Sequence, residues 1–149
     1  MRYKELIIYE CGKMGGLSFD AMSGWRKELK NKLLAAASET GYKVLVINPV
    51  DMYNYDDPRH QSEEEIEDYD LRLATSSDLI IVNLDGLESS NGSKYELHDC
   101  HYHLHIPVIA FGKQEQYKSL HPWTKRDISR VENSIDDVVE YVKDFYFIN

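Results

Sequence analysis

The sequence has only two cysteines, Cys11 and Cys100. That number cannot build a disulfide framework, and a reducing, cytoplasmic setting is the simpler expectation. No apolar run reaches the roughly 18 residues that a membrane span requires. The N-terminal segment MRYKELIIYECG has too short an apolar run for a signal peptide and reads directly into a strand. Repeats, low-complexity tracts and a dividing Pro/Gly/Ser linker are all missing, so residues 1–149 read as one domain. Basic residues are also scarce. Against 26 acids stand 17 Lys and Arg, leaving a net charge of −9. Broad nucleic-acid binding draws its affinity from a basic surface that releases counterions, so this balance argues against it. One small nucleotide at a local site remains compatible. Three familiar motifs are absent as well. There is no GxxxxGK[ST] phosphate loop, no GxGxxG dinucleotide fingerprint and no GxSxG nucleophile elbow.

What is present is an alternation of strand and helix signals, with 42% hydrophobic residues to supply a core. LIIYE (6–10) is a short apolar run ended by the loop CGKMGG. Over 20–40, Trp25, Leu29, Leu33 and Ala36 fall at helical spacing, and Gly41 is placed to end that helix. VLVIN (44–48) is a second strand stopped by Pro49. Ser62 and Glu65 make a capping box, followed by a stripe of Ile66, Tyr69 and Leu73. DLIIVNL (78–84) is apolar on both faces, as in a central parallel strand covered by helices. A helix from Ser93 to Leu104, a strand over IPVIAFG (106–112) and an amphipathic tail helix with Ile135, Val138, Val139, Val142 and Phe145 on one side complete the pattern. The expected fold is α/β: a single-domain, open, mostly parallel sheet of about five strands with helices on both faces, Rossmann- or flavodoxin-like.

In such sheets a ligand crevice lies beyond the carboxyl ends of the strands. Three loops fall there: CGKMGG, DGLESSNGS and GKQEQYK. Gly12, Gly15 and Gly16 can let backbone approach a ligand closely. Nine acids lie between Asp51 and Asp70; most read as a solvated loop and helix face, with Asp70 set apart below. His98, His101, His103 and His105 tempt a metal reading, because His101 and His105 are one helical turn apart. No Glu lies inside that pair and no third ligand is evident, so surface or interface histidines are the better reading, with no metal and no cofactor expected. Cys100 shares a helix face with Leu97 and Leu104 and reads as core. Cys11 lies nearer the crevice without an identifiable base.

The segment SSNGSKYEL (89–97) carries the sharper signal. It places small residues after the central strand, then Glu96 in what reads as the first turn of a helix. There the unpaired N–H groups and helix dipole would keep a carboxylate ionised. A fixed carboxylate at a crevice suits attack on a sugar anomeric carbon. Asp70 is the candidate acid for the leaving group, and the Tyr9 hydroxyl the candidate orienting donor. Each also has a plain structural reading: a dipole-favoured Glu, a solvated Asp, a core Tyr.

DLRLATSSDLIIVNLDGLESSNGSKYEL resembles the signature of the nucleoside 2-deoxyribosyltransferase superfamily. Asp70-Leu71, Ser77-Asp78, Gly92 and Glu96-Leu97 match it in order and spacing, and YECGKMGG resembles its first-strand motif, a resemblance covering about residues 6 to 112. It implies that Glu96 is the nucleophile toward C1′, that Asp70 holds or protonates the base and that Tyr9 positions the nucleophile. It implies substrate contacts from Gly12, Lys13, Met14, Gly15, Ser90, Gly92 and Ser93. It also implies a homo-oligomer with active sites shared between subunits, acting on a small-molecule nucleoside or nucleotide. Ser90 stands where transferases acting on free nucleosides usually have Asp. The 2′-deoxynucleoside 5′-monophosphate N-hydrolases have Ser there, as part of a phosphate site. His98 departs from the usual Gly after Glu-Leu. Four outcomes stay open: transfer to a second base, strict hydrolysis of the monophosphate, a TIR-like NAD nucleosidase, or a non-catalytic nucleotide-binding domain.

Overall fold

The computed structural model describes residues 5–148; the first four residues of the N-terminal segment considered above lie outside that range. Strand β1 (Leu6–Cys11) leads into helix α1 (Phe19–Thr40), then β2 (Val44–Ile47), α2 (Glu63–Thr75), β3 (Leu79–Asn83), α3 (Asn91–Leu97) and β4 (Val108–Phe111). Two short helices, α4 (Gln114–Lys118) and α5 (Pro122–Arg126), precede β5 (Arg130–Glu132) and the closing helix α6 (Ile135–Phe145). The described residues form one five-stranded sheet in the order β2-β1-β3-β4-β5, parallel throughout. This is the flavodoxin-like strand order, and the direction in which the chain steps across the sheet reverses between β1 and β3.

Local chemistry explains the element ends. Ser18 caps α1 by accepting from the Ala21 N–H at 3.2 Å. Gly41 closes the helix at φ 70°, a left-handed conformation that glycine adopts without a Cβ penalty. The capping box of Ser62 and Glu65 forms as expected at the start of α2. Strand alternation then sorts side chains between two cores. Leu6 and Ile8 of β1 face Leu29 and Leu33 of α1 and Val138 and Val142 of α6. Tyr9 and Cys11 face the opposite layer, with Ala74 of α2, Leu97 of α3 and Cys100. Burying Leu29 and Leu33 contributes about 1.5–3 kcal/mol each.

Several expectations need correction. The apolar stripe of α2 is not its core face: Tyr69 is exposed and Ile66 and Leu73 are half-buried, while Asp70 and Ala74 are buried. The helix expected from about Ser93 to Leu104 is α-helical over Asn91–Leu97, and His98–His103 continue it as a π-helical turn. That wider turn rotates Leu104 out to solvent, so only Leu97 and Cys100 of the proposed face are buried. Phe145 is likewise exposed beyond the buried Val138 and Val142. Strand β5 is three residues long, too short for alternation to mark it in the sequence. No helix among the described residues is long and apolar enough to cross a membrane.

Candidate active site

The pleat of β1 directs Tyr9 toward the layer that holds α2 and α3. Tyr9 is 1% exposed and packs in that layer. There its hydroxyl is hydrogen-bonded to Glu96, while the Cys11 thiol, two residues along the same strand face, donates to the Ser93 carbonyl at 3.8 Å. Glu96 Oε2 is buried and has no hydrogen-bond partner. Asp70, from α2, faces the same cleft. Its Oδ1 accepts from the Tyr53 hydroxyl at 2.5 Å. The cleft between α2 and α3 has a volume of about 280 Å³. Its carboxylates are Glu63, Glu67, Asp70 and Glu96, and neither Lys nor Arg lines it.

Electrostatics differ from the expectation at Glu96. It is the sixth residue of α3, not a first-turn residue, and the first turn holds no acid. The end charge of a helix acts within its first turn, so the dipole does not hold this side chain ionised. Burial instead raises its pKa to about 7, Asp70 adds to the rise, and the Tyr9 hydroxyl and Arg26 oppose it. Asp70 is raised by burial too, with the Tyr53 hydrogen bond and Arg26 pulling it back. Tyr9 is pushed up strongly by burial and by the Glu96 and Asp70 charges. It therefore stays a neutral hydroxyl donor. Two titrating carboxylates and a fixed donor in one cleft can divide nucleophile, acid and orienting roles among themselves.

The other expected contacts separate. Gly92 lines the cleft. Ser90 donates to Ser93 Oγ at 2.8 Å, and Ser93 is buried. Lys13 donates to Ser89 Oγ at 3.0 Å and lines a neighbouring recess of about 260 Å³ with Trp25 and Asp85. Gly12 packs under Trp25: a Cβ there would lie 2.7 Å from Trp25 Cζ2. Met14 accepts from the Leu17 N–H in the turn at the loop's end, and Gly15 has open space around it. The histidines stay at the surface side of α3. His98 stacks on Tyr102 at 4.9 Å and pairs with Asp127 at 3.3 Å, while His101 bonds the Ile106 carbonyl at 2.9 Å. Among the described residues, no group of three or more His, Cys, Asp and Glu is arranged to hold a metal.

Two residues join the site without being expected from the sequence. Tyr53 follows the turn Pro49–Met52 in a loop with no periodicity. Arg26 left a readable sign: it lies three residues before Leu29 on the buried stripe of α1, where a charge is out of place.

No family model matches the sequence, and a search of curated proteins finds no match. Solved structures do resemble it. A conserved protein from Enterococcus faecalis V583 aligns with TM-score 0.72 and 19% identity over 95% of this chain and 99% of its own. A 2-deoxyribosyltransferase from Bacillus psychrosaccharolyticus aligns with TM-score 0.55 and 17% identity, covering 91% of each chain. The Clostridium botulinum CMP N-glycosidase BcmB aligns with TM-score 0.52 and 17% identity over 94% of this chain and 98% of its own. At these identities the likeness is one of fold.

Proposed function

We propose that this chain, which shares its fold with a 2-deoxyribosyltransferase and a CMP N-glycosidase, cleaves the N-glycosidic bond of a (deoxy)nucleoside or its 5′-monophosphate. The observation that carries this reading is Glu96: a carboxylate with one unpartnered buried oxygen, hydrogen-bonded to Tyr9 and sharing a cleft with Asp70. Ionised Glu96 attacks C1′, forming a carboxylate–sugar ester as the C1′–N bond breaks. The base leaves with the bond's electron pair and takes a proton from the protonated form of Asp70, which faces the same cleft. Water or a second base then attacks C1′, giving its proton to the ionised Asp70 as the ester bond breaks, so that the Glu96 carboxylate and the Asp70 acid are both regenerated. Tyr9 holds the nucleophile in place. Asn91 and Gly92 line the cleft beside Glu96 and contact the sugar side of the substrate. A homo-oligomer would close the cleft on the side where Tyr95 is 65% exposed.

Incubation with each deoxynucleoside and each 5′-monophosphate, with and without a second free base, tests this reading by chromatography. A new nucleoside marks transfer; free base with sugar or sugar phosphate marks hydrolysis. Glu96→Gln should lower turnover by about 10⁴-fold or more. Ligand binding without turnover of any of these compounds would leave a non-catalytic binding domain instead.

A further inference from the structure

A charged side chain sits fully buried on α1 without an ionised partner in contact. Arg26 of α1 is 1% exposed. One guanidinium nitrogen donates to the Gly12 carbonyl at 2.9 Å and the other to the Met22 carbonyl at 2.6 Å. Its guanidinium carbon lies 4.4 Å from the Trp25 ring centre, a cation–π contact strengthened by burial. Its Nε has no partner. The obvious counter-ion would be Glu10, the neighbouring acid on the α1 side of β1, yet both Glu10 oxygens lack a hydrogen-bond partner and the residue is 0% exposed. Burial pushes Glu10 up to about 9, with Arg26 and Lys30 opposing and Asp51 adding. Glu10 is therefore neutral at pH 7 and leaves the Arg26 charge uncompensated there.

We propose that Arg26 is a positioning residue for the Glu96 site: its guanidinium clamps the loop after β1 onto α1 and lends its uncompensated positive charge to Glu96 and Asp70. This deepens the glycosidic reading and rests on it for the meaning of turnover, though not for the charge effect itself. The same cation opposes the upward shift of both carboxylates, across the sheet from α1. The other groups facing Glu96 come from each packed element. Tyr9 and Cys11 approach from β1 and Asp70 from α2, and the buried Cys100 of the π-helical turn feels the Glu96 charge. None of these is a cation. Two carbonyls on different segments, Gly12 in the loop and Met22 in the helix, need a forked donor, which a lysine ammonium does not match.

Two measurements on the full chain separate charge from clamp. The first is a ¹³C NMR titration of the Glu96 carboxyl, assigned with Glu96→Gln, which needs no substrate. Arg26→Met should raise the Glu96 pKa by about one unit or more; Arg26→Lys should hold it near the parent value; Glu10→Gln, replacing a neutral group by a neutral group, should not move it. The second is the pH dependence of kcat/KM on whichever nucleoside or monophosphate turns over. Its rising limb should follow the NMR value in Arg26→Met, whereas Arg26→Lys should raise KM severalfold at an unmoved limb, because the loop is released. An unmoved Glu96 titration in Arg26→Met overturns the inference, as does a fall in Glu10→Gln, which would mean that Glu10 is ionised and already neutralises the cation. If no compound turns over, the glycosidic reading fails, while the titration still decides the charge effect. Should Arg26→Met not fold, Arg26→Gln, which keeps polar hydrogen-bonding capacity without the charge, replaces it in the same titration with the same expected rise.

Discussion

Glu96 must be ionised to attack an anomeric carbon, and its pKa of about 7 puts that ionisation in the neutral range. On the proposed mechanism protonation removes the nucleophile, so kcat/KM should climb about tenfold per pH unit on the acid side of about 7 and fall again on the alkaline side, where Asp70 loses the proton it gives to the base. A profile flat from about pH 5.5 to 8.5 would contradict a buried, titrating nucleophile. Tyr9 stabilises the charged form through its hydrogen bond. Tyr9→Phe should therefore move the rising limb to higher pH and cost more activity at about pH 6 than at about pH 8. A limb displaced by about one pH unit costs on the order of tenfold at the lower value. Equal losses at both values would assign Tyr9 to packing alone. Tyr9 and Glu96 were both singled out in the sequence through the family resemblance, and the structure brings them together. The electrostatic state of Glu96 was not legible in the sequence, because it depends on burial: as the sixth residue of α3 the carboxylate lies past the first turn, in a desolvated position.

At the scale of elements, the loop 12–18 joins β1 to α1 and carries three glycines, of which Gly12 and Gly15 have opposite tolerances. A methyl group on Gly12 would meet the edge of Trp25 at 2.7 Å. That ring is wedged between Arg26 and Phe111, whose ring centre is 5.6 Å away, so it has little room to retreat. Gly12→Ala should lower stability by about 1–3 kcal/mol in urea unfolding. Gly15→Ala meets nothing within 4 Å and should unfold like the parent. A Gly12→Ala midpoint equal to that of Gly15→Ala would mean that the loop is not packed as described. The α2 pattern is instructive here. Its apolar stripe suggested a buried Ile66–Tyr69–Leu73 face, but α2 lies at the rim of the cleft and turns Asp70 inward with Ala74. Ile66 serves as cleft wall, and Tyr69 packs edge-on against Tyr53, 5.8 Å between centres. Periodicity finds a helix; it cannot tell a wall of a site from a core.

For the whole molecule, charge and buried acids set two measurable behaviours. The cleft is lined by four carboxylates in a chain of net charge −9. A 5′-monophosphate approaching it meets repulsion that salt screens, so its KM should fall as ionic strength rises from about 0.02 to 0.3 M, while KM for the matching uncharged nucleoside stays nearly constant. A monophosphate KM that rises with salt would point to a cationic phosphate site and against this account of the cleft. Stability should also depend on pH in a defined direction. Glu10 and Glu96 are raised by burial from 4.5 to about 9 and about 7. Between 4.5 and those values the folded chain keeps protons that the unfolded chain has lost. The stability associated with both groups is complete below about 4.5 and is lost as pH rises through about 7 and then about 9. Unfolding midpoints should fall from about pH 5.5 to 9, with each group contributing a slope of at most about 1.4 kcal/mol per pH unit. Glu10→Gln should flatten the upper part of that curve, and an unchanged slope would show that Glu10 does not hold its proton.

The sequence by itself determined the alternation of strands and helices, the central apolar strand, the caps at Ser62 and Gly41, and the order in which Tyr9, Asp70 and Glu96 appear. These follow from local rules: side-chain period, capping chemistry and residue spacing act over a few positions and can be read from a string. The tertiary structure alone decided three things. It brought Tyr53 onto Asp70 from a loop without pattern, buried Arg26 and Glu10 without bonding them to each other, and raised Glu96 to a pKa of about 7. Each depends on burial by elements far away in sequence, and desolvation is a property of the surroundings a side chain receives, not of the residue that receives them.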